Sequence, residues 1–147
     1  LVIAVVQMSV LFGLGVVLFD LVISGSLVAL SLIVLAFSIS MLSFGMAIMS
    51  LTRTSLQLNT YVNLAGIVFA GVGGALVPLA VLPAWVQTAA RFTPTYWAMD
   101  GFLDVILAGA GISDVVVATM VLLVFTGVFT AVAAARFRLE ESKVYVA

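Results

Sequence analysis

Two aspartates, Asp100 and Asp104, stand four residues apart. On a helix that spacing puts both carboxylates on one face. Paired carboxylates can move protons or hold a metal ion. Arg91 precedes them and could pair with either acid or meet lipid headgroups instead. The sequence contains no histidine and no cysteine, which removes thiol nucleophiles, disulfides and the usual zinc and haem ligands. With no third ligand and no nucleophile beside a base, the two aspartates read as the wet side of a helix. A Gly-x-x-x-x-Gly-Lys-Ser/Thr phosphate loop is also missing, and the lone lysine, Lys143, follows Ser142 rather than glycine. No nucleotide hydrolysis, metal or cofactor is therefore expected on this chain.

The elements that hold these residues are set by composition. Of 147 residues, 65% are hydrophobic and 7% charged, against roughly 25% charged in soluble domains. A chain this small exposes much of its surface, and so few charges could not cover it in water. Lipid is the remaining sink for the apolar side chains, so the bilayer is the first expected partner. A net charge of −1 provides no basic field for nucleic acid. A bilayer core ~30 Å thick takes roughly 20 apolar residues as a helix. Four segments answer that description: 1–19, 27–51, 58–82 and 115–135. None has an Asp, Glu, Lys or Arg in its interior, and none alternates polar with apolar as barrel strands do. The expected fold is all-α and integral to the membrane, one transmembrane domain over residues 1–147. It has four transmembrane helices and a short extracellular helical hairpin, interfacial or re-entrant, between the third and fourth.

Every formal charge falls between or after these segments. Arg53, Arg136, Arg138 and Lys143 gather at one end and Arg91 alone at the other. The positive-inside rule then puts the C-terminus and the Arg53 turn in the cytoplasm, and Asp20 and the 83–114 region outside. A multi-pass protein of the plasma or inner membrane is expected. The sequence starts inside apolar residues without a leader pattern, so it is expected to belong to a longer protein.

The 83–114 region is too apolar for a plain loop. Pro83 suits a helix start, giving a short helix over 84–92 with Trp85 near its beginning. Thr93-Pro94 breaks it. Thr95 then serves as the N-cap of a second helix over 96–107, ended by Gly109 and Gly111. Trp85, Tyr96 and Trp97 are types that settle at headgroup level, and the hairpin is placed at about 84–107. In the third span Gly66, Ala70 and Gly74 recur every four residues, as do Gly127, Ala131 and Ala135 in the fourth. Such stripes let helix backbones approach closely, although glycine and alanine are common in membrane helices anyway. The second span's serines can bond their own preceding turn or line a polar path. Gln7 calls for a partner helix or a cavity.

The run from Gly74 through Pro78 and Leu82-Pro83-Ala84-Trp85, then Phe92-Thr93-Pro94-Thr95-Tyr96-Trp97 to Phe102, resembles the end of type-2 ABC exporter permeases, the ABC-2 class. Ala135-Arg136-Phe137-Arg138 is similar to the basic end of their last span. Leu51-Thr52-Arg53-Thr54 is similar to their short cytoplasmic loop between the fourth and fifth spans. The resemblance covers most of the chain and implies the third to sixth spans of a six-span subunit. It implies two permease halves, a homo- or heterodimer, driven by an ATPase subunit that holds ATP and magnesium. Arg53, Thr54 and Gln57 are then the candidates for touching the ATPase. Pro83, Trp85, Pro94, Tyr96, Trp97 and Asp100 would form an outer hairpin at the exit, and a hydrophobic or amphipathic drug or lipid would suit the path. A membrane-embedded lipid-modifying enzyme, resting on Asp100 and Asp104, is a rival reading. A non-transporting assembly subunit is another. A proton- or sodium-coupled carrier is disfavoured, because no acid lies at midplane depth.

Overall fold

The computed structural model describes the backbone of residues 1–144 and the side chains of residues 1–136. Helix α1 is Val2–Phe19, α2 is Leu27–Leu51 and α3 is Ser55–Val72. A 3-10 turn, Leu79–Val81, leads to α4, Ala84–Ala90, and α5, Pro94–Leu107. The last helix, α6, is Val116–Val144. Among the described residues there is no strand.

The spine of the molecule is α2 against α6. Along α2 the buried residues include Ala29, Ile33, Ala36, Ser40, Ser43 and Ala47, spaced alternately by four and three. That heptad-like rhythm puts them on one seam. On α6 the seam is met by Ala118, Leu122 and Ala133, all buried. Small side chains dominate both sides, which lets the backbones close up where no hydrophobic effect drives helices together. Ser43 and Thr130 touch across the seam at 3.4 Å between hydroxyl oxygens. The serines therefore divide by position. Ser31 and Ser50 donate to Leu27 and Ala47 carbonyls in their own helix. Ser38, Ser40 and Ser43 are buried, with Ser40 and Ser43 packed in the seam.

Helices α1, α2 and the Val116–Arg136 part of α6 are long and apolar enough to cross a bilayer. The third expected span, 58–82, needs correction, because the helix stops at Val72. The cause is Gly73-Gly74. Gly74 takes φ +87°, which an L side chain resists, and the Ala75 N–H returns to the Ala70 carbonyl at 2.9 Å. This is a glycine C-cap of the Schellman kind. Gly74 is thus outside the helix, and the Gly66–Ala70–Gly74 stripe does not exist as one helical face. Upstream, Gln57, Asn59, Thr60 and Asn63 make the first half of α3 polar.

The two ends of the bundle are defined by chain contacts. The Ser24 N–H donates to the Ile106 carbonyl at 3.4 Å and the Ser26 N–H to the Ala110 carbonyl at 3.2 Å. The 20–26 link is thereby bound to the end of α5. The turn between α2 and α3 lies at the other end. The basic tail residues Arg138 and Lys143 lie outside the residues whose side chains are described.

Candidate functional site at the α4–α5 hairpin

Helix α5 owes its start to Thr93 rather than Thr95. Proline favours the first helical position, where its missing N–H costs nothing, so the cap belongs to the residue before Pro94. The Thr93 hydroxyl accepts from the Tyr96 N–H at 3.4 Å and donates to the Ala90 carbonyl at 2.7 Å. One side chain thereby ends α4 and begins α5. The expected cap at Thr95 is corrected accordingly, and Thr95 is instead a buried residue of the first turn. Helix α4 is also shorter than 84–92, closing at Ala90.

The hairpin turn is further braced by Trp97, whose indole Nε1 donates to the Arg91 carbonyl at 2.8 Å. The Tyr96 and Trp97 rings meet edge to face, 5.2 Å between centroids. Trp85 stands apart on α4 with 74% of its surface exposed. Pro83 precedes α4, its carbonyl accepting from the Val86 and Gln87 N–H groups. Of the six residues expected at an exit, the structure groups Pro94, Tyr96, Trp97 and Asp100 on α5. Trp85 belongs to the separate short helix α4, and Pro83 stands at its N-cap.

The α5 face bearing Ala98, Gly101, Phe102 and Val105 is buried. It packs against the first turns of both α2 and α6. A Cβ on Gly101 would run into the Ile33 Cδ1 atom, so a larger residue there requires the buried Ile33 side chain to shift. Phe102 meets Phe12 of α1 edge-on at 5.5 Å. The opposite face bears Asp100, Leu103 and Asp104. Asp100 lines a cavity of about 250 Å³ with Tyr96, Met99 and Leu103, roofed by Gly74, Pro78, Leu79 and Ala80. Burial pushes the Asp100 carboxyl above the usual aspartate range, Asp104 adds to the rise and Arg91 opposes it. The chain from Gly74 to the 3-10 turn therefore folds over α5. That arrangement was hidden as long as 58–82 was read as one straight helix. The Gly73-Gly74 pair was the signal that could have exposed it.

At the other end, Arg53, Thr54 and Gln57 form a closed cap. The Gln57 N–H donates to the Thr54 hydroxyl at 3.2 Å, and the Gln57 carboxamide oxygen accepts from the Arg53 N–H at 3.1 Å. This reciprocal arrangement stiffens the start of α3 and leaves all three residues exposed. Beside it, α2 and α3 diverge and then meet again where Phe44 contacts Phe69 at 5.0 Å. The wedge between them is a cavity of about 530 Å³ lined by Met41, Leu42, Met46, Met49, Leu58 and Val62, with Ser55 and Asn59 as its polar margin. Gln7 lines a further cavity, about 340 Å³, with Ser38 between α1 and α2. Gly66, Gly127, Ala131 and Ala135 are exposed and Ala70 half-buried. A Cβ on Gly66 or Gly127 would meet nothing within 4 Å. These small residues are not part of the packing between α2 and α6.

A family model described as ABC-2 family transporter protein matches residues 1–135. Among curated proteins, the linearmycin resistance permease protein LnrN of Bacillus subtilis (strain 168) is 33% identical over 76 residues, which are 52% of this chain and 20% of that protein. The chain thus spans about a fifth of the length of that relative. No solved structure matches it.

Proposed function

Because the chain belongs to the ABC-2 family of transporter proteins, we propose that it forms part of the membrane-spanning path of an ATP-driven exporter. The observation that carries this reading is the family match over residues 1–135, with three helices among the described residues long and apolar enough to cross a bilayer. ATP and magnesium are held by a partner ATPase subunit or domain, and a second permease half completes the path. The C-terminus and the Arg53 turn face the cytoplasm of a plasma or inner membrane, and the α4–α5 hairpin faces outward.

The substrate is hydrophobic or amphipathic. Two things support this. The related protein is named for linearmycin resistance. The wedge between α2 and α3 is large, rich in methionine and leucine, and polar only at Ser55 and Asn59. Methionine's unbranched, polarisable side chain adapts to apolar bodies of varied shape. The capped turn at Thr54 supplies a stiff support for Arg53, suited to contact with the ATPase. The outer hairpin closes the exit side, where α5 packs against the first turns of both α2 and α6.

The test is co-expression of the complete permease with its ATP-binding subunit, followed by affinity purification and transport into inside-out vesicles. Co-purification and ATP-dependent uptake of an amphipathic dye are expected, with Arg53→Glu uncoupling hydrolysis from uptake. A permease that never associates with an ATP-binding subunit would sink the reading.

A further inference from the structure

We infer that the cavity beside α5 is a binding site for an organic ammonium group carried on an apolar body. Its walls are Pro78, Leu79, Met99 and Leu103, and its polar lining includes the Asp100 carboxylate and the Tyr96 ring. A volume of about 250 Å³ compares with the ~30 Å³ that one water takes in the liquid. It accommodates a small ammonium headgroup and its first methylenes. The Asp100 side chain, exposed at the cavity's edge, presents a negative charge beside apolar walls, and Tyr96 in the same lining offers a ring for cation–π attraction. Hydrocarbon walls then favour an alkyl-bearing ammonium over a bare metal ion, which would need several oxygen ligands.

Asp100 is available for such a ligand. Among the described residues it makes no hydrogen bond and no ion pair through its side chain. Burial and Asp104 both disfavour its bare negative charge, and Arg91, beyond the end of α4, compensates only in part. Neither α2 nor α3 has a charged residue, and the one tyrosine of α3, Tyr61, lies in its opposite half. The only described charge on α6, Arg136, is at the far end. An incoming ammonium ion would therefore meet a carboxylate that Arg91 compensates only in part. Two sources carry such an ammonium: an exported amphiphile and a lipid headgroup. As a stopping point on the way out, the site rests on the export reading; as a binding site, it stands on the cavity alone.

The test uses the full chain in nanodiscs and a dansyl-labelled alkyl-trimethylammonium probe, read by energy transfer from the tryptophans, Trp97 being next to Tyr96. A dansyl-labelled alkyl alcohol of the same chain length is the neutral control. Asp100→Asn should weaken the ammonium probe on the order of five- to ten-fold and leave the alcohol unchanged. Leu103→Trp, which fills the cavity, should weaken both. Asp104→Asn should have little effect. Equal binding by wild type and Asp100→Asn, or equal losses in Asp100→Asn and Asp104→Asn, would overturn the site. Discs of phosphatidylethanolamine against phosphatidylglycerol separate the sources. Loss of the probe only in the former identifies the lipid amine as occupant, and equal binding in both identifies a free amphiphile. Binding that persists in a chain without ATPase association would leave the site standing while the export reading falls.

Discussion

Thr93 and Asp100 show how much a single side chain settles in this chain. Thr93 accepts from one helix start and donates to one helix end, with its hydroxyl in a buried position. Removing an N-cap hydroxyl costs about 0.5–2 kcal/mol. Thr93→Ala should lower the thermal midpoint in detergent and Thr93→Ser should keep most of it. Asp100 carries a second prediction. Its carboxyl binds a proton more tightly in the folded chain than in the unfolded one, chiefly because burial disfavours the charge. The folded state is therefore favoured at low pH, and this contribution is lost as pH rises through the raised folded value. Melting curves across that range should slope less in Asp100→Asn than in wild type. An unchanged slope would mean that the carboxyl is solvated like any surface aspartate. The pairing of Asp100 with Asp104 on one face was legible from spacing alone. The cavity was not, because its roof comes from residues more than a helical turn of sequence away.

At the scale of elements, the apolar runs were the readable part. Helix α2 occupies the segment 27–51 expected from hydropathy, because nothing in it interrupts either the helix or the apolar character. The expectation for α3 failed at Gly73-Gly74, where hydropathy continues but the backbone does not. Hydrophobicity reports which solvent a segment prefers, and a C-cap reports where its hydrogen bonds end. The cap at Thr93 was missed by two residues for a related reason. Pro94 belongs to the helix rather than to the break before it. Gly74→Ala forces a side chain into left-handed backbone at a cost of about 1–2 kcal/mol, and the new Cβ lies 2.8 Å from the Leu79 Cδ1 atom. The variant should melt earlier and should lose the Asp100 cavity, measured as reduced protection of α5 amides from hydrogen exchange. Gly66→Ala, where a Cβ meets nothing nearby, should leave both unchanged within the chain.

For the whole molecule, the bonding of the 20–26 link to the end of α5 puts those segments at one rim, and the Arg53 turn at the other. Their assignment to opposite sides of a membrane is tested by cysteine labelling, in a chain whose sequence has no cysteine to interfere. Ser113→Cys should react with a membrane-impermeant maleimide from outside intact cells, and Ser55→Cys only after permeabilisation. The reverse pattern would invert the orientation. The charge bias that predicts this rests on Arg53 and Arg136 together with Arg138 and Lys143, whose side chains lie outside those described. Labelling therefore decides it independently of the tail.

Two peptide bonds' worth of hydrogen bonding, from Ser24 to Ile106 and from Ser26 to Ala110, fasten the α1–α2 corner to the far end of α5. A latch of that sort transmits strain. Helix α5 cannot tilt away without dragging the corner along or unzipping both bonds, so movement of α5 and rearrangement of the first helical pair are coupled.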